Sequence, residues 1–201
     1  MRRNSLYSIF MVLLLAGCGM GREQQPIAMQ EAFFQVELAE GSRAYALSAD
    51  QSQLYWKGTK LLYTRSHEGT LEVKEGKLYL KEGKLLGGKV TMDMNSIKVT
   101  DIPPDQPVPL RNLTKHLKED FAVRKYGIST FEFSHVDYLR PDSLILQGNL
   151  RIKNKVQPIS ITATQSTDEG LRYFESEFVI DRFAWDIGTQ GSWLEKWWTE
   201  K

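Results

Sequence analysis

Cysteine is almost absent: the 201-residue chain holds one, Cys18. A lone thiol makes no intramolecular disulfide, so the fold is expected to stand on packing and hydrogen bonds alone. Histidine is scarce as well. His67, His116 and His135 lie far apart, without the His-x-x-x-His or Cys-His spacing of a metal site. No Gly-x-Ser-x-Gly elbow occurs. Gly87-Gly88 follow Leu86 inside a β-patterned stretch and lead into no helix, which speaks against a phosphate loop. No catalytic residues, metal or required cofactor are therefore expected. Neither sign of charge dominates, with 26 Lys and Arg against 25 Asp and Glu. That balance gives no reason to expect nucleic-acid binding or a polybasic hold on anionic lipid. Nor is there an apolar run of the roughly 20 residues that a membrane-spanning helix needs.

What the chain does have begins at its N-terminus. Arg2 and Arg3 precede an apolar run of residues 6–16, LYSIFMVLLLA. Basic start and short apolar middle fit a secretory leader over residues 1–17. The run ends Leu15-Ala16-Gly17-Cys18, which resembles the lipobox of bacterial lipoproteins. That resemblance implies a diacylglyceryl group on the Cys18 thiol and cleavage before it. Several acyl chains anchor stably where one would not, since each buried CH₂ contributes about 0.8 kcal/mol. Gly19, where many inner-membrane lipoproteins carry Asp, tilts the expected location towards the outer membrane, facing the periplasm. A plain leader with an incidental cysteine is the simpler alternative.

Residues 18–41 are expected to be the lipidated end and a tether. Residues 27–39 fit neither period cleanly: Ala32, Phe33 and Val36 suggest a helix face, while Phe34, Val36 and Leu38 alternate like a strand. They are expected to pack on the folded domain, residues 42–201. There the pattern is β. Leu54 and Trp56, Leu78 and Leu80, Val90, Met92 and Met94, Phe131 and Phe133, Leu144 and Leu146, Ile159 and Ile161, and Phe178 and Ile180 recur at period 2 between turn residues. One face apolar and the other polar is antiparallel patterning. Residues 102–109, rich in Pro and Asp, are expected to be a loop. Residues 110–123 then show helical spacing at Leu110, Leu113, Leu117 and Phe121. The expected fold is all-β with one inserted helix. About eight such strands form either a sandwich or a barrel.

Residues 42 to about 189 resemble the YceI-like family of polyisoprenoid-binding, lipocalin-like barrels. The resemblance is carried by an ordered series of segments. They are Ser52-Gln53-Leu54-Tyr55-Trp56-Lys57-Gly58; Ser66-His67-Glu68-Gly69 with Gly76; Gly87-Gly88; Met92-Asp93-Met94-Asn95-Ser96-Ile97; His116-Leu117-Lys118 with Asp120-Phe121; Lys125-Tyr126 with Phe131; Gly148-Asn149-Leu150-Arg151-Ile152; and Asp181-Arg182-Phe183-Ala184-Trp185. Each alone is weak, and their joint order is specific. The resemblance implies an antiparallel barrel of about eight strands holding a long isoprenoid-type chain. Ala122 replaces a second Phe and Gly127 a Pro. Asn154 stands for a turn glycine, whose left-handed backbone Asn tolerates. Members commonly finish with a further strand. In this chain Trp193 with Trp197 and Leu194 with Trp198 stand at helical spacing instead. Residues 27–39 would then cover the gap.

On that resemblance, Trp56, Met92, Met94, Phe131, Phe133, Leu146, Leu150, Ile161 and Phe178 are expected to line a lipid tunnel. Methionine adapts to ligand shape, and aromatic rings supply apolar area. The expected ligand is an isoprenoid such as a quinone or polyprenyl phosphate, or another long-chain lipid. The rival expectation is an envelope interaction module whose barrel is filled by its own side chains. Oligomeric state stays open, a homodimer included. His116 and Asp120, four apart, are expected to pair on the helix surface; His67 and Asp93 are expected at the surface, and Asp181 with Arg182 as an ion pair or cap.

Overall fold

Among the described residues the chain forms nine strands, eight of them in the β-patterned domain and one in the N-terminal apolar run. The computed structural model describes residues 7–15 (as backbone), 41–59 and 66–188. The strands are β1 (Tyr7–Leu15), β2 (Arg43–Ala46), β3 (Gln53–Thr59), β4 (Ser66–Lys81), β5 (Lys84–Val99), β6 (Ile128–Arg140), β7 (Ser143–Ile152), β8 (Lys155–Asp168) and β9 (Leu171–Ile180). The inserted helix, α1 (Pro107–Asp120), lies between β5 and β6. The expected all-β, mostly antiparallel barrel-like architecture with a single helix is what forms.

β4 to β9 are a meander in which each strand pairs antiparallel with the next. β2 and β3 pair antiparallel with the two halves of the long β4. The tight hairpins at Glu82-Gly83 and Glu169-Gly170 put both turn residues at positive φ, the backbone twist that two-residue hairpins require. Register shifts between β4 and β5 and between β6 and β7 mark bulges, which curve the sheet.

These eight antiparallel strands do not close by themselves, because β3 is not paired with β9. β1 lies between them and runs parallel to both: residues 10–15 pair with 53–58, and residues 7–15 with 172–180. The strand therefore comes from the apolar run that the sequence places in a leader.

The apolar set of each strand turns inward, as a period-2 pattern dictates. Leu54 and Trp56, Val90, Met92 and Met94, Phe131 and Phe133, Leu146 and Leu150, Ile161 and Ala163, and Phe174 and Phe178 are all buried in one cluster. α1 and a 3-10 turn (Arg182–Trp185) meet at one end of the barrel. Leu110, Leu113 and Leu117 pack against the core from α1, although no residue of the helix is itself buried. The Trp185 indole is buried and its Nε1 donates to the Leu150 carbonyl at 3.0 Å. Lys153 joins the two pieces, donating from Nζ to the carbonyls of Asp120 (3.0 Å) and Asp186 (2.6 Å).

Three sequence expectations are corrected. The helix starts at Pro107, not Leu110, because proline is tolerated in a first turn whose N–H groups have no helical partner. It ends at Asp120, so Phe121 is its C-cap and Val123 lies beyond it. In the β7–β8 turn the left-handed residue is Lys153 (φ 57°), not Asn154. Residues 18–40, which include Cys18 and the 27–39 segment, and residues 193–198 lie outside the described residues.

Candidate functional site

The barrel interior is the candidate site. All nine expected lining residues are buried, each carried there by strand alternation. Phe131 and Phe133, two apart on β6, share a face and stack with ring centroids 5.3 Å apart. Two glycines make room for them. Gly148 stands opposite Phe133 on β7, and Gly88 stands opposite it on β5. A Cβ on Gly88 would lie 2.9 Å from the Phe133 ring tip. Trp56 has a similar neighbour: a Cβ on Gly69 would lie 2.6 Å from its ring. Its Nε1 is satisfied by the Thr70 carbonyl at 3.3 Å, as a buried indole requires.

The interior carries no charge. The buried polar side chains among the described residues are only Ser48, Ser52, Thr91, Ser129 and Ser143. Ser129 Oγ bonds the Met94 sulfur at 3.2 Å. Such a chamber offers hydrocarbon contact and no acid, base or anion hold.

One cavity among its described residues has a volume of about 20 Å³, room for about one water molecule. Phe131, Phe133, Leu146 and Ile161 line it, joined by Val90, Ala163, Phe174, Glu175 and Ser176. Trp56, Met92, Met94, Leu150 and Phe178 share the core but do not face that cavity. Val90, Ala163 and Phe174 belong to the apolar period-2 runs but lie outside the expected lining set; each has the alternation parity of its buried neighbours. A larger open depression of about 560 Å³ lies beside the 3-10 turn Ala49–Gln51 and β3, β4 and β5. Its Glu72 and Lys98 are already paired at 3.3 Å.

The titratable residues noted in the sequence all lie outside the interior. His67 Nδ1 meets Asp101 at 2.8 Å, which fastens the start of β4 to the chain following β5. His116 and Asp120 pair on α1 at 3.4 Å. Burial lifts the Asp120 carboxyl above its ordinary value, against the pull of His116, Arg182 and Lys153. Asp93 Oδ1 accepts from the Asn95 backbone and amide groups at 2.9 and 3.0 Å. Asp181 caps the last turn, accepting from Phe183 N at 3.0 Å, while Arg182 donates to the Ile187 carbonyl. That pair thus forms a cap. No group of three or more His, Cys, Asp or Glu side chains suited to a metal stands together among the described residues.

Comparison with known proteins gives a consistent picture of the fold. The model of the YceI-like domain family matches residues 45–199. The crystal structure of Burkholderia cenocepacia BcnA superposes with a TM-score of 0.53 at 18% identity, covering 77% of this chain and 86% of that one. At that identity the likeness speaks for the fold. No curated protein matches the chain.

Proposed function

Because the chain belongs to the YceI-like domain family, we propose that it is an envelope lipoprotein that binds a long apolar lipid inside its barrel without catalysing a reaction. In this reading Cys18 carries the acyl anchor, the barrel faces the periplasm, and the outer membrane is the favoured host. The ligand is an isoprenoid chain or a similar long lipid.

The uncharged, aromatic-rich interior carries the reading. Seven of the nine described residues around the residual cavity are apolar, Glu175 and Ser176 being the exceptions. Burying hydrocarbon there contributes roughly 25 cal/mol per Å² before association costs are subtracted. The cavity itself is far too small for such a chain, so binding requires the barrel to widen. Unbranched Met92 and Met94 are side chains that can shift against a ligand.

A second reading draws on the same cavity. A cavity of only about 20 Å³ also suits an interaction module whose core is only a core. The test is to export the protein behind a leader without a lipobox and with Cys18→Ser, then analyse an organic extract by mass spectrometry. A stoichiometric long-chain lipid is expected, together with uptake of added polyprenol. Repeated extracts without lipid, and no uptake, would leave the interaction module.

A further inference from the structure

Beyond Ala163 the inward row of β8 turns polar. Ile161 and Ala163 line the cavity, and Gln165 takes the next inward position, two residues or roughly 7 Å further along the strand. It stands opposite Phe174 on β9, which also lines the cavity. This is the barrel end formed by the β4–β5, β6–β7 and β8–β9 hairpins, the far end from α1. Gln165 is fastened to the β6–β7 turn twice. Its backbone N–H donates to the Asp142 carbonyl at 2.8 Å, and its Nε2 donates to the Pro141 carbonyl at 2.6 Å. A carbonyl can only accept, so the amide nitrogen must face Pro141 and the amide oxygen must face away. That oxygen, Oε1, is buried and has no hydrogen-bond partner; no other buried side-chain oxygen or nitrogen among the described residues is left so. Other polar side chains at this end are engaged. The Tyr138 hydroxyl accepts from Leu85 N at 2.6 Å, and Arg172 donates to the Gly83 carbonyl.

A buried acceptor without a donor costs free energy that leucine or methionine at the same inward position would not. An oxygen held in place at the edge of an apolar chamber is satisfied by a hydroxyl brought in on a ligand. We propose that Gln165 Oε1 is the head-group acceptor of the barrel, taking a hydrogen bond from the hydroxyl of a long-chain apolar alcohol whose chain runs past Ala163 and Phe174 into the interior. The proposal rests on the reading of the interior as a lipid site, and it narrows the ligand by its chemistry. A polyprenol or a quinol brings an O–H donor. An oxidised quinone brings only acceptors, and a fully ionised phosphate sets a charged oxygen against the amide oxygen. Gln165 is thus a specificity residue. The apolar wall takes any long chain, and the amide selects the head that can donate.

The experiment uses the exported protein with Cys18→Ser, stripped of lipid, and compares polyprenol with its O-methyl ether, which keeps the chain and loses the donor. The parent is expected to bind polyprenol about five- to tenfold more tightly than the ether. A quinol should be preferred over its quinone in the same way. In Gln165→Met, which keeps the size of the side chain and removes the acceptor, alcohol and ether should bind alike, at the parent's affinity for the ether. In protein labelled at glutamine side-chain carbonyls, the resonance missing from Gln165→Met should move on adding polyprenol and stay in place on adding the ether. Equal affinity of the parent for alcohol and ether, or a carbonyl resonance that polyprenol leaves unmoved, would overturn the proposal; water would then be the partner of Oε1. A preference that survives in Gln165→Met would overturn it as well and place the hydroxyl elsewhere. The comparison on the parent needs no substitution, so it decides the matter whether or not Gln165→Met folds. Binding of neither probe would refute the lipid reading itself, whereas equal binding of both removes only the head-group site.

Discussion

Gly148 lies opposite Phe133 across the β6–β7 pairing, and a Cβ placed on Gly148 would come within 2.5 Å of the Phe133 Cα. The ring position at the centre of the barrel is therefore set by what is missing from the neighbouring strand. The same added atom would collide with the Glu132 carbonyl, which is backbone and has no rotamer to escape into.

Gly148→Ala should accordingly destabilise the fold by about 2 kcal/mol or more, at the upper side of overpacking costs. Gly58→Ala is the control. Among the described residues nothing lies within 4 Å of a Cβ there and its φ is not positive, so a change within about 0.5 kcal/mol is expected. Urea unfolding of both variants checks the pair; equal stabilities would mean that Gly148 is not holding the Phe133 backbone close.

How much of this was legible beforehand follows from which interactions are local. Alternation of Met92 and Met94, or of Phe131 and Phe133, reports burial because successive strand residues point to opposite faces. The nine proposed lining residues were legible as buried for that reason. Which of them border a cavity was not legible, since that depends on residues such as Ala163 and Phe174 brought from other strands. The start of α1 was misplaced because Pro107 and Pro109 read as loop residues, although a first helical turn accepts them. The Lys153 turn was misassigned because the strand register decides which residue takes positive φ. The role of residues 7–15 as a strand was invisible to period reading, since an unbroken apolar run has no period.

Ala163 offers a test of ligand entry that leaves the strands intact. It is 2% exposed and lines the cavity with Phe131 and Phe174. Ala163→Phe should fill the space and cut polyprenol uptake at least tenfold, at a stability cost of about 1–3 kcal/mol. Far-UV circular dichroism should show an unchanged sheet. Undiminished uptake by the folded variant would place the lipid elsewhere.

The anchor is tested separately from the barrel. Cys18→Ser, exported behind a leader that does not require the lipobox, should move the protein from the membrane to the soluble fraction. A single thiol is the only acylation point of this kind in the chain, so no second cysteine can compensate. Continued membrane attachment would mean that something other than acylation at Cys18 holds the protein there.

The end of the barrel where α1 meets the β7–β8 turn should give stability a pH dependence. Asp120 pairs with His116 at 3.4 Å with only 20% of its side chain exposed, and burial outweighs the nearby cations, so its carboxyl is held above the ordinary 3.8. A raised value means that the folded state binds the proton more tightly than the unfolded chain does. The protonated carboxyl therefore favours folding at low pH. That advantage is lost as pH climbs from the ordinary value through the higher folded one. Above that window the ionised carboxylate is a constant cost. Asp120→Asn removes this dependence, so the variant's Tm relative to the parent should rise between pH 3.5 and pH 7. Both proteins are best compared with His116→Gln also present, so that Asp120 is the one member of the pair able to change charge. A Tm difference that stays flat across that range would show that Asp120 titrates as an ordinary surface carboxylate.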